Sequence, residues 1–140
     1  MTDFSQSTLY PPENQVDASL PNQIRTAFEE ALKCFEAQAF TASVILCRKT
    51  LEGICKEHSI NNGNLKNKLE EMKNKGIIEQ RLFEWADALR ISGNDAAHDL
   101  DITFSELDAK DIVEFTKALL EYVFTFRNKF EQFMKRRKST

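Results

Sequence analysis

Residues 103–133 read TFSELDAKDIVEFTKALLEYVFTFRNKFEQF, and this stretch decides the fold. Ile112, Phe115, Leu119, Tyr122, Phe126, Phe130 and Phe133 recur at steps of three and four, the period of a helix with one apolar side. Its start is marked twice. Thr103-x-x-Glu106 fits a capping box, and Ser105-x-x-Asp108 is the second candidate. The pattern predicts a helix of about thirty residues, or ~45 Å at 1.5 Å per residue. A compact bundle of this chain's size needs less. The far end, with Phe126, Phe130 and Phe133, is therefore expected to pack on a second subunit, the alternative being that the N-terminal arm covers it.

Upstream, the same period returns four times. Ile24, Phe28, Ala31, Leu32 and Phe35 predict a first helix after Pro21, with Asn22 as cap and an end near Ala39. Val44, Cys47, Leu51, Ile54 and Cys55 predict a second from about Thr41 to His58. Asn61-Asn62-Gly63-Asn64 is a turn. Leu65, Leu69 and Met72 predict a short third helix to Lys75, stopped by Gly76. Leu82, Trp85, Ala86 and Leu89 predict a fourth from about Gln80, continuing through Gly93 and Ala96 to Leu100 or breaking at Gly93. Strand signals are nearly absent. The chain reads as an all-α, four- to five-helix bundle over residues 21–138, with a long C-terminal helix and mostly antiparallel neighbours. Residues 1–20 are polar, contain Tyr10-Pro11-Pro12, and read as an extended N-terminal arm.

Composition fits that reading. The 140 residues suffice for one domain with a real core, and 41% hydrophobic against 29% charged is ordinary for a globular protein. A formal net charge of −3 gives no general attraction to nucleic acid or to an acidic membrane. The sign is uneven, however, since Lys135-Arg136-Arg137-Lys138 forms a basic run that suits the C-terminal end of a helix dipole and is also able to meet phosphates. Cys34, Cys47 and Cys55 are odd in number and unpaired in spacing, so buried reduced thiols and a cytoplasmic location are expected. Neither a transmembrane span nor a secretory signal is read. Two histidines forty residues apart give no zinc pattern, and no phosphate-cradling glycine loop is present, so no metal or cofactor is expected. His58 ends an apolar stripe and reads as a packed or capping histidine.

The segment LRISGNDAAHD, residues 89–99, holds the chemistry-bearing residues. With Gly93 at zero on a helical wheel, Arg90 falls at about 60°, Asn94 at about 100°, Asp87 at about 120° and His98 at about 140°. They form one polar row beside the apolar stripe. Arg90 and His98 are ~12 Å apart along the axis, so they meet only on a shared substrate or across a twofold axis. Histidine titrates near neutrality and arginine holds a permanent charge for a phosphate, a pairing suited to cutting RNA without a metal. The same residues also make a structural lock, with Arg90 paired to Asp87, Asn94 bonding loose backbone groups near Gly93, and His98 closing the helix end. A second polar pair, Arg48 and Glu52, lies one turn apart on the second helix in the weaker order for a local ion pair. Tertiary partners are therefore expected for it, the 90–98 row among them, with a solvated face as the alternative.

Taken together, these residues resemble a known family. Leu46-Cys47-Arg48-Lys49-Thr50-Leu51-Glu52 resembles an Arg-x-x-Leu-Glu helix motif, followed by Leu65 to Gly76-Ile77-Ile78, then Leu89-Arg90 and Gly93-Asn94-x-Ala96-Ala97-His98-Asp99. Leu20-Pro21-x-x-Ile24-Arg25 upstream and Phe115 to Tyr122-Val123 downstream also fit, so that residues 9–127 resemble the bacterial domain of unknown function 4145 family. That family is similar to the HEPN superfamily of helical domains. The resemblance implies a four- or five-helix bundle, a homodimer, and a setting in prokaryotic anti-phage defence or restriction, with RNA or a defence protein as partner and no membrane. Active HEPN members are metal-independent ribonucleases whose Arg lies four to six residues before the His. Here Asn94 and His98 match that motif, Gly93 stands where the Arg belongs, and Arg90 leaves seven residues before His98. This departure favours an interaction and dimerisation module that associates with nucleic acid. The alternative is a ribonuclease using His98 as acid–base and Arg90 as phosphate clamp.

Overall fold

The computed structural model describes residues 20–89 and 103–138. Six helical segments make up these residues: α1 (Asn22–Glu36), α2 (Phe40–Glu57), α3 (Leu65–Asn74), α4 (Gln80–Leu89), α5 (Glu106–Leu120) and α6 (Arg127–Lys138). Wide π-type turns at Glu121–Phe126 join α5 to α6 without a break, so the last helix runs from Glu106 to Lys138. No strand occurs among the described residues. The architecture is the all-α bundle with a long C-terminal helix that the periodicity predicts. The N-terminal arm lies outside the described residues apart from Leu20, which is buried against the core.

The apolar stripes become the core. Ile24, Phe28, Ala31, Leu32 and Phe35 of α1, Val44, Cys47, Leu51, Ile54 and Cys55 of α2, and Leu65, Leu69 and Met72 of α3 are all buried in one cluster. On α4 the stripe is shallower. Leu82 and Ala86 are buried, whereas Trp85 stays 39% exposed and lays its ring edge-on to Phe115 at 5.2 Å. Burying a side chain of the Phe115 class stabilises a fold by about 1.5–3 kcal/mol, so this cluster dominates the energetics. The polar groups inside it are satisfied locally. Ser43 donates to the Ala31 carbonyl at 2.7 Å and ties α2 to α1, while Thr50 and Thr116 donate to the carbonyls four residues before them.

Helix ends follow backbone rules that a glycine search finds only once. After α3, Gly76 takes φ 76°, and the Gly76 and Ile77 amides return to the Lys73 and Met72 carbonyls, a Schellman closure. The same closure ends α1 through Gln38 (φ 65°) and α2 through Ser59 (φ 63°), with Ile60 buried after it. The expected end of α1 near Ala39 is corrected to Glu36, because Gln38 reverses the chain. Asn22 is not the cap of α1. Pro21 holds that position, and the Asn22 side chain accepts from Arg25 instead. Asn64 caps α3 by accepting from the Asn67 amide. Of the two starts offered for the last helix, Ser105 is used, accepting from the Asp108 amide at 3.1 Å. Thr103 is excluded because the next amide, that of Phe104, donates to Thr41 of α2 and holds the chain outside the helix.

That contact also sets a direction. Thr41 meets Phe104 at the start of α2, Cys47 meets Thr116 midway, and the His58 ring lies 6.1 Å from the Phe124 ring just past the end of α2. Helices α2 and α5, which are not neighbours in the chain, are therefore parallel. Helix α6 thus begins where α2 has already stopped.

Candidate interaction surface

Of the residues singled out in the sequence, Arg90, Asn94 and His98 fall outside the described residues, and so does Gly93. Asp87 is exposed on α4 and lies 3.6 Å from the Lys66 ammonium of α3, a contact worth little at a wet surface. Arg48 is half-buried on α2. Glu52 has a tertiary partner. Its carboxylate accepts from Lys68 of α3 at 2.6 Å, in a pair where the lysine is mostly covered. Sequence reasoning assigned the Arg48–Glu52 pair tertiary partners without naming Lys68, because no local spacing links α2 to α3.

The buried thiols Cys47 and Cys55 are not placed for chemistry. Burial pushes Cys47 up from 9.0 to about 12, against a smaller opposing effect of its hydrogen bond with Thr116. Cys55 is likewise raised to about 12, first by burial and then by the Glu52 and Glu71 carboxylates, with Lys68 acting the other way. Its sulfur donates to the Met72 thioether at 3.5 Å. Both behave as small apolar core residues. His58 follows the C-terminus of α2, its Nδ1 3.0 Å from the Ile54 carbonyl, and is a capping histidine. Among the described residues there is no group of His, Cys, Asp and Glu able to hold a metal ion, and no helix long and apolar enough to cross a membrane.

The surface that stands out is built by the last helix. Buried positions run through Ile112, Val113, Phe115, Leu119, Leu120 and Val123, then stop, and no residue of Arg127–Lys138 is buried. The π-type turns insert extra backbone and rotate the side chains that follow. Phe126, the last residue of these turns, and Phe130 and Phe133 beyond them stand 61%, 53% and 47% exposed, with Met134 39% exposed. Tyr122 stacks on Phe126 at 6.0 Å and links this stripe to the core. At its root a groove of about 370 Å³ is lined by Gly76, Ile77, Tyr122, Val123, Phe126 and Phe130. Helix α6 is about 18 Å long, at 1.5 Å per residue.

Charge divides in the same place. Arg127–Lys138 holds six Lys and Arg against the single Glu131, whereas all other residues hold thirteen against twenty-one Asp and Glu. Helix α6 is a basic, aromatic-bearing rod attached to a bundle whose described residues, 20–89 and 103–126, hold twelve Lys and Arg against fifteen Asp and Glu. The stripe itself was legible from the spacing of the phenylalanines. Ile77, Phe124 and Met134 were not, because their place depends on how α3 and α2 end.

The fold and this surface together define an all-helical bundle with a protruding, partly apolar terminal helix. The sequence model of the family described as Domain of unknown function (DUF4145) matches residues 29–137, and the chain belongs to that family. No curated protein and no solved structure gave a match.

Proposed function

We propose that this chain is a HEPN-like helical interaction module that works as a homodimer, with the apolar side of α6 as the contact. The observation that carries this reading is the stripe Phe126, Phe130 and Phe133, about half exposed along the end of the last helix, where no residue of Arg127–Lys138 is buried. Isolated apolar residues at a surface are normal, but a contiguous aromatic stripe marks a binding surface. Covering three phenylalanines supplies the aromatic anchors from which interface energy is built. A second copy suits this face on charge as well. Basic α6 against the slightly acidic bundle of another copy is mildly attractive, and the same helix against its own kind is not.

The likeness to HEPN-like domains supports a nucleic-acid-associated role in prokaryotic anti-phage defence, and the basic end of α6 suits an anionic partner such as RNA. The test is sedimentation of the full-length chain and of Phe130→Glu across the micromolar range. Association that Phe130→Glu removes supports the reading. A chain that stays monomeric at every concentration overturns it.

A further inference from the structure

We infer that the groove at the root of α6 is the seat for Phe133 of a second copy, so that two α6 helices cross antiparallel and each fills the other's groove. This rests on the reading of α6 as the dimer contact and names the site that receives it.

The groove suits a ring. Ile77, Tyr122 and Phe126 wall it, and its volume of about 370 Å³ falls in the range of pockets that take small organic molecules, ample for one phenyl group. Gly76 leaves one side without a side chain, and a Cβ there meets nothing within 4 Å among the described residues. The cations on the rim already have partners. Lys75 pairs with Glu71 at 3.1 Å and Arg127 with Glu131 at 3.5 Å, so the rim calls for an uncharged group and not for an anion.

A chain cannot fill its own groove with Phe133. That residue stands 47% exposed two turns beyond Phe126, about 10 Å further along the helix axis. A second copy can fill it. With a twofold axis passing beside Phe130, a helix running the other way sets its Phe133 against Phe126 and Ile77 of the first copy, and receives the first copy's Phe133 in return. This is the self-complementary contact of a closed dimer, in which each copy gives a knob and a hole.

Charge selects the direction. Helix α6 holds six Lys and Arg against Glu131 alone. In a parallel pair the two basic runs at 135–138 lie side by side at an interhelical distance of about 8–10 Å. In the antiparallel pair they lie about 20 Å apart along the axis, beyond the screening length of about 8 Å at physiological salt. Each run then comes level with the exposed Glu121 of the other copy.

The experiment places cysteines in a Cys34→Ser background, which otherwise keeps only the buried Cys47 and Cys55. Copies with Ile77→Cys are mixed with copies with Phe133→Cys, at a concentration where the parent chain sediments as a dimer, and treated with a short bis-maleimide. The expected product is a pair of chains joined through positions 77 and 133, with little product from Phe133→Cys alone. Phe133→Ala, at an exposed position, should weaken the dimer in sedimentation by roughly thirtyfold or more, because two anchors are lost at once. A dimer in which Phe133→Cys links to itself and not to Ile77→Cys is parallel, which overturns the seat and keeps the α6 contact. A dimer that gives neither link, or that Phe133→Ala does not weaken, overturns the seat as well. A parent chain that is monomeric at every concentration overturns the contact and the seat together.

Discussion

The His58 ring lies 6.1 Å from the Phe124 ring, and this contact fixes where the last helix leaves the bundle. His58 directly follows α2, with its Nδ1 on the Ile54 carbonyl, while Phe124 sits in the π-type turns that precede α6. Because α2 has ended there, nothing of it remains to cover Phe126, Phe130 and Phe133. The exposure of the stripe follows from the unequal lengths of two parallel helices, one stopped by Ser59 and the other continuing to Lys138.

That division predicts opposite consequences for two phenylalanines of one helix. Phe115 is fully buried and supports Trp85, so Phe115→Ala costs about 3–5 kcal/mol. Phe130→Ser, beyond the bundle, changes the stability of the monomer by no more than about 0.5 kcal/mol. Urea unfolding at low protein concentration measures both. Equal losses would place Phe130 in the core.

Helix ends give a second prediction. Gln38 and Ser59 occupy the left-handed region at φ 65° and 63°, where a Cβ is strained. Gln38→Gly and Ser59→Gly should each stabilise by about 0.5–1 kcal/mol, the relief of strain exceeding the entropy lost by glycine. Gly76→Ala should destabilise by about 1 kcal/mol, through backbone strain alone, since a Cβ there meets nothing within 4 Å. Thermal melts of the three variants check the signs.

These positions also show what was legible beforehand. Ile24, Leu51 or Met72 announces itself by period, because burial on one side of a helix repeats every three or four residues. Gly76 announces itself by residue type. Gln38 and Ser59 do not, since tertiary packing forces a left-handed turn on residues that carry no such preference. The choice of Ser105 over Thr103 was equally hidden, because it depends on a hydrogen bond from Phe104 to Thr41, far away in sequence. The aromatic stripe of α6 could be read as apolar but not as uncovered, which depends on where α2 stops. The row Arg90, Asn94 and His98 was read from spacing alone and lies outside the described residues.

The buried thiols set a pH dependence. Cys47 and Cys55 are held near 12 in the fold against an ordinary 9.0, so the unfolded chain releases their protons first. Their contribution is complete below pH 9 and is lost as pH rises from 9 towards 12. Cys47→Ala should therefore show a shallower loss of stability over that range than the parent chain. A disulfide reagent at pH 8 should modify the half-buried Cys34 first, with Cys47 and Cys55 reacting only on unfolding.

On the proposed HEPN-like reading, Gly93 stands where a ribonuclease of that kind carries arginine. The expected outcome with tRNA and mixed RNA in EDTA is no cleavage above background. Cleavage that disappears in His98→Ala would instead establish a metal-independent ribonuclease with His98 as its acid–base.

The most direct measurement is sedimentation equilibrium of the full-length chain beside Phe130→Glu, from one to one hundred micromolar. The prediction is a reversible dimer for the parent chain and a folded monomer for the variant, with identical far-ultraviolet circular dichroism. A parent chain that remains monomeric throughout, or a variant that associates equally well, would contradict it.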